Sequence, residues 1–203
     1  MSQKYFVTGI GTGIGKTITS AIIVEKLKAD YWKPIQSGDL NQSDSLSIEN
    51  LISNHQTKIH KESYRLNHPL SPHLSAKMDG VAIEFSNIKL PETLHNLIVE
   101  GAGGLMVPLN TKELILDLIK YLNIEVILVS QNYLGSINHT LLTINTLKQH
   151  QIPIKGIIFN GEENLESQSY ILNYSGINLL GNIPLMENIS KSEIIEAGKN
   201  ILL

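Results

Sequence analysis

Cysteine is missing altogether from the 203 residues of this chain. That excludes disulfides, thiolate zinc sites and a cysteine nucleophile. Arginine is nearly absent: Arg65 stands alone, so almost all positive charge is lysine. Base readout and bidentate phosphate clamping lean on the guanidinium fork, so nucleic acid is not an expected partner. Blocks of one charge are missing too, and the formal net charge is only -3. Neither a basic binding surface nor an acidic tail is indicated. The apolar runs are strand-sized, too short to span a membrane. Met1-Ser2-Gln3-Lys4 leads straight into an apolar run, without the pattern of a secretory leader. These absences point to a soluble cytoplasmic protein, and the length suits a single domain over 1–203 with a full hydrophobic core.

What is present alternates regularly. Strand-like runs are Tyr5 to Thr8, Tyr31 to Lys33, Leu97 to Glu100, Val126 to Ser130, Ile154 to Phe159 and Leu179 to Ile183. Helical periodicity covers Thr17 to Lys28, with Ile18, Ala21, Ile22 and Leu27 on one side. It recurs over Lys112 to Leu122 and over Ile137 to His150. Residues 54–91 are less periodic and read as an excursion over the sheet edge. Apolar strands alternating with helices predict an α/β fold, a mostly parallel sheet with helices on both faces. Ligands of such sheets sit beyond the carboxyl ends of the strands.

The first strand end is the most informative. Gly9-Ile10-Gly11-Thr12-Gly13-Ile14-Gly15-Lys16-Thr17 has the strand, glycine-rich turn, lysine and hydroxyl order of a P-loop. Glycines let the backbone curl around an anion, and the following helix adds its N-terminal N–H groups. Lys16 would reach the outer phosphates, and Thr17 would offer its hydroxyl to Mg²⁺. The register is unusual: the P-loop pattern puts glycine where Ile10 stands, and Gly9 lies one residue further back. A dinucleotide fingerprint would need glycine at Ile14 or Lys16 and is dropped.

Other strand ends carry polar groups. Glu100, closing an apolar strand before Gly101-Ala102-Gly103-Gly104, is read as a second ligand to nucleotide-bound Mg²⁺, ahead of a mere strand cap. Asp44, at the start of a helix expected to run towards Asn54, is either a metal ligand or a first-turn acid. Lys33, kept out of helical geometry by Pro34, is either a second lysine facing the phosphates or a solvated turn residue. Ser136, after Gly135, opens a helix that is an anion site or a simple N-cap. His55, His60, His68, His139 and His150 lack metal-ligand spacing, and His73 has no assignable role on chemistry alone.

Together these segments resemble the dethiobiotin synthase family along nearly the whole chain. The carrying motifs are the lengthened loop ending Gly15-Lys16-Thr17, Lys33-Pro34-Ile35-Gln36-Ser37-Gly38, Ser43-Asp44 and Ser71-Pro72-His73. Val99-Glu100-Gly101-Ala102-Gly103-Gly104 and Gly135-Ser136-Ile137-Asn138-His139 complete them. The resemblance implies an ATP- and Mg²⁺-dependent ring closure. In that family 7,8-diaminononanoate takes up CO2, drawn from bicarbonate, as a carbamate. ATP phosphorylates the carbamate to a mixed anhydride, and the neighbouring amine closes the cyclic urea.

Carried over by motif, Thr17, Asp44 and Glu100 would bind the metal. Lys16 and Lys33 would neutralise the phosphoryl group and carbamate, with hydrogen bonds from Thr12 and Ser37. Gly13, Ile14, Gly15, Gly101, Ala102 and Gly103 would surround the nucleotide, and Asn160, Pro184 and Leu185 its base. Ser136, Ile137, Asn138 and Tyr170 would hold the substrate carboxylate across a homodimer interface. Two departures stand out. Gly13 occupies a place where the family often carries a larger polar residue, and Asn160 is followed by Gly161 and a short tail, which allows looser choice among nucleoside triphosphates. A MinD or partition-type ATPase, sharing the fold, is the alternative; its lysine near the start of the loop is replaced here by Gly11.

Overall fold

A computed structural model describes residues 2–186 and 188–203. Met1, the first residue of the segment read as lacking a leader, lies outside the described residues. β1 (Lys4–Gly9) is a near-continuous buried run, as a strand covered on both faces must be. It lies between β6 (Leu97–Gly104) and β7 (Glu125–Gln131), paired in parallel with each. β2 (Asp30–Trp32) and β4 (Ile59–His60) extend the sheet beyond β6, and β8 (Ile154–Asn160) and β9 (Leu179–Ile183) extend it beyond β7. The order is β4-β2-β6-β1-β7-β8-β9, parallel throughout. β3 (Ile35–Ser37) and β5 (Tyr64–Leu66) form a separate two-stranded parallel ribbon. The excursion over the edge is therefore real, and it supplies β4 as the edge strand.

Period-two alternation assigns the two faces. Tyr5, Val7, Ile98, Ile127 and Val129 point to one side, against α1 (Lys16–Leu27), α2 (Asp44–Leu51) and α7 (Lys191–Lys199). Phe6, Leu97, Val99 and Val126 point to the other, against α4 (Ile115–Leu122). Leu128, Ile157 and Phe159 continue that side under α5 (Ser136–Gln149) and α6 (Leu165–Ser175). A short helix, α3 (Pro72–Met78), packs beside the ribbon.

Two expectations need correction. α1 has no single apolar stripe: Thr19 to Val24 are all buried, because the helix is enclosed by the sheet, α2 and α7. α4 begins at Ile115, not Lys112, because the Asn110 carboxamide oxygen accepts from the Lys112 and Glu113 amides and holds that stretch as a turn.

At the opposite end of β2, Asp30 ties three segments together. Its buried carboxylate accepts from the Lys58 amide (2.9 Å), His60 Nε2 (3.0 Å), Thr93 Oγ1 (2.7 Å) and His95 Nδ1 (3.1 Å). Burial pushes this carboxyl up, but the donors outweigh it and hold it below the usual carboxylate range. Asp30→Asn is expected to lower stability by about 2–3 kcal/mol at neutral pH. A depressed folded-state pKa means the contribution is complete above the unfolded value, about pH 4, and is lost as pH falls through the folded value. Urea midpoints of the two proteins should converge only in that acid range. An equal gap at every pH would remove the charge from the explanation.

Candidate active site

β1 ends at Gly9, and the chain turns through residues 10–15 into α1. Gly15 is the N-cap with φ of 87°, a left-handed conformation that glycine adopts without strain. No side chain caps the helix, so its first N–H groups are left for a ligand. Asn160, at the end of β8, donates from Nδ2 to the Ile14 carbonyl at 3.0 Å and packs so closely over Gly15 that a Cβ would strike it. The loop is thus braced from the end of β8, two strands away in the sheet. Lys16 is the first residue of α1, and its Nζ donates to the Gly11 carbonyl at 2.7 Å across the loop. Burial pushes this ammonium down to about 8, against the pull of Glu100 and with repulsion from Lys33.

Thr17, Lys33, Asp44 and Glu100 meet beside the loop. Thr17 Oγ1 lies 2.7 Å from Asp44 Oδ1 and 2.9 Å from Glu100 Oε1. Lys33 Nζ donates to Glu100 Oε1 at 3.1 Å and pairs with Asp44. Burial pulls Lys33 down, but the two carboxylates outweigh it and leave its pKa above the ordinary value. Burial likewise pushes Asp44 up, and Lys33 and Thr17 bring it below the carboxylate range. Asp44 sits one residue inside α2, whose N-cap is Ser43: the Ser43 hydroxyl accepts from the Leu46 amide. Gln36 Oε1 accepts from the Asp44 amide at 3.3 Å, so β3 helps to place α2. The cluster opens into a cleft of about 700 Å³ whose walls include Thr12, Lys16, Ser37 and Gly103. Ser37 Oγ is buried without a hydrogen-bond partner among the described residues.

Two carboxylates and a hydroxyl make an all-oxygen donor set suited to Mg²⁺. Among the described residues no three His, Cys, Asp or Glu side chains are gathered so that they could hold a metal ion by themselves.

An AAA domain family matches residues 3–193. ATP-dependent dethiobiotin synthetase BioD of Christiangramia forsetii is 52% identical over 183 residues, 90% of this chain and 88% of that protein. The protein of the same name from Cytophaga hutchinsonii is 48% identical over 96% of this chain and 94% of its own. The chain belongs to the dethiobiotin synthetase family. Among solved structures, a ParA family ATPase from Chlorobium tepidum superposes with a TM-score of 0.58 at 13% identity, covering 98% of both chains. MinD from Pyrococcus horikoshii gives 0.58 at 14% identity, over 98% of this chain and 95% of that one. These two are likenesses of fold alone.

The remaining residues expected to serve a dethiobiotin synthetase are dispersed. Gly13, Gly15, Ala102 and Gly103 line the cleft, whereas Ile14 turns its side chain into the core. Gly101 to Gly104 continue β6 and are not a flexible turn; Gly101 lies against the Phe6 ring, where a Cβ would not fit. Pro184 and Leu185 are exposed after β9 and line neither groove. Ile137, Asn138 and Tyr170 share a second groove of about 730 Å³ with Tyr133 and Glu163, apart from the first. Ser136 is buried as the first residue of α5, and Gly135, with φ of 99°, is the N-cap. His73 bonds through Nδ1 to the Ser71 hydroxyl at 3.0 Å, and Ser71 lines the cleft where His73 does not.

Sequence reasoning missed Tyr31 as a site residue. Its phenol donates to Glu100 Oε2 at 3.0 Å from a fully buried position. A usable signal was present: in a strand, Tyr31 and Lys33 share a face.

Proposed function

We infer that this protein is an ATP-dependent dethiobiotin synthetase, a ligase of biotin biosynthesis acting on 7,8-diaminononanoate and CO2. The observation that carries the reading is the meeting of Lys33, Asp44 and Glu100 with Thr17 at the mouth of the loop. In family relatives of about half identity, ATP is part of the name. The need for ATP argues for the cytoplasm, and no helix among the described residues is long and apolar enough to cross a membrane. We take residues 1–203 to act as one P-loop domain.

Thr17, Asp44 and Glu100 would hold Mg²⁺, which when bound screens the nucleotide phosphates. Gly13 to Lys16 and Ala102-Gly103 would enclose those phosphates, and Asn160, Pro184 and Leu185 would lie toward the base. The diamine's carbamate would sit between Lys33 and the γ-phosphate, held by Thr12 and by Ser37, whose hydroxyl lacks a partner. Its oxygen attacks phosphorus and ADP leaves, with Lys16 and Lys33 offsetting the developing charge. The second amine then attacks the carbonyl carbon, phosphate departs and the urea ring closes. Positioning and charge stabilisation carry the reaction, so no general base of unusual pKa is required.

Phosphate release is expected to depend on both the diamine and bicarbonate. Release that ignores them but responds to DNA or lipid vesicles would overturn the reading in favour of a switch ATPase.

We also infer a homodimer whose second copy offers the diamine carboxylate the helix start at Ser136 and the groove of Ile137, Asn138 and Tyr170. In its favour, the cleft continues past Thr12 and Val107 onto Met106 and Leu142, which are 65% and 57% exposed. Apolar surface beside a polar site favours a covering partner. Co-expressing Lys16→Ala with Asn138→Trp, each inactive alone, should restore about a quarter of wild-type turnover through mixed dimers holding one intact site. No recovery in a purified mixed dimer would place the whole site within one chain.

A further inference from the structure

β2 and β6 are neighbours in parallel, with Tyr31 opposite Ile98. Side chains alternate along a strand, so Glu100, two residues beyond Ile98, shares the face of Tyr31 as its diagonal neighbour. The two oxygens of the Glu100 carboxylate then have different partners. Oε1 meets Thr17 Oγ1 at 2.9 Å and Lys33 Nζ at 3.1 Å, on the side of the cleft. Oε2 accepts from the Tyr31 phenol at 3.0 Å, within the core. Tyr31 is 0% exposed and Glu100 1%. The ring has a packing role among Ile98, Ile48 and the α1 residues that phenylalanine would fill equally well. The hydroxyl has no packing role, and what it touches is the carboxylate.

We propose that Tyr31 is a positioning residue for the cation site, its hydroxyl fixing the rotation of the Glu100 carboxylate so that Oε1 stays presented beside Thr17 and Asp44. A glutamate carboxylate, carried on three side-chain torsions, has several orientations to lose when an ion binds. A buried donor on the far oxygen removes that freedom in advance. Partners behind a ligating group commonly change metal affinity by about 10–100-fold when removed. Tyr31 acts through Glu100 and touches neither nucleotide nor diamine. The proposal rests on the reading of Thr17, Asp44 and Glu100 as the Mg²⁺ holders.

The test is the Mg²⁺ dependence of nucleotide binding, read with a fluorescent ADP analogue on full-length wild type, Tyr31→Phe and the core control Ile98→Val. For Tyr31→Phe the Mg²⁺ midpoint should rise about tenfold or more, while affinity in EDTA stays within about twofold. Ile98→Val should lower the melting temperature and leave the Mg²⁺ midpoint in place. A folded Tyr31→Phe protein with an unmoved midpoint overturns the proposal and leaves the metal reading standing. Wild-type binding that ignores Mg²⁺ overturns both. Should Tyr31→Phe prove insoluble, 3-fluorotyrosine placed at position 31 alone supplies a ¹⁹F signal. That signal should shift when Mg²⁺ joins the ADP complex, and a line blind to Mg²⁺ overturns the proposal.

Discussion

Lys33→Ala is expected to lower turnover by about two to three decades, the usual cost of deleting one positioned charge at a reacting group. It should also make folding depend on divalent cation. Lys33 is the cation of a cluster in which the buried Glu100 and the half-buried Asp44 both reach the Thr17 hydroxyl. Removing one partner of such a cluster leaves buried carboxylate charge uncompensated, at a cost of about 3–5 kcal/mol. Because the Lys33 pKa is raised, its contribution is complete below its ordinary value and is lost only as pH rises through the folded value. The effect is therefore fully present at neutral pH. Urea midpoints in EDTA should fall well below wild type, and Mg²⁺ should restore much of the difference. Wild-type turnover by the folded variant would remove Lys33 from the chemistry, and equal midpoints with and without Mg²⁺ would refute the account of the cluster.

Lys16→Ala should lose a similar two to three decades in turnover with the opposite effect on stability. Lys16 bonds to the Gly11 carbonyl and has no carboxylate within salt-bridge distance among the described residues. Its lowered pKa, about 8, has burial as its largest cause, so in the folded protein without nucleotide the charge is a burden. Alanine removes that burden, and the variant should melt at or above the wild-type temperature while binding nucleotide poorly. The expected contrast separates the two lysines: one is tied into the fold by its counter-charges, and the other carries its charge without a salt-bridge partner among the described residues. A marked loss of stability in Lys16→Ala would overturn that distinction, and wild-type turnover would remove the loop from catalysis.

Legibility in the sequence followed locality. β7 spans Glu125–Gln131, one residue beyond each end of the run read from Val126 to Ser130, because a buried parallel strand is an apolar run bounded by polar residues. β3, β4 and β5 escaped notice, being two or three residues long and without a resolvable period. α6 and α7 were missed too, since isolated apolar positions such as Ile171 and Ile194 mark their buried sides. At the site, Lys33 and Asp44 each had an innocuous reading that no local pattern excluded. The structure buries Lys33 and pairs it with Asp44, and that pairing is a tertiary fact.

By itself the sequence determined the phosphate-binding loop. Gly9 to Thr17 are contiguous, so strand, turn, lysine and hydroxyl follow from covalent order and backbone freedom. Only the tertiary structure decided which acids the hydroxyl meets. Asp44 is 27 residues from Thr17 and Glu100 is 83 away, and they converge because β6 lies between β1 and β2 in the sheet. The same strand order put the Tyr31 hydroxyl behind Glu100 and left the groove at Ile137 and Asn138 apart from the first cleft. Strand order arises from packing helices on both faces of a parallel sheet, and periodicity within one segment carries no record of its neighbour.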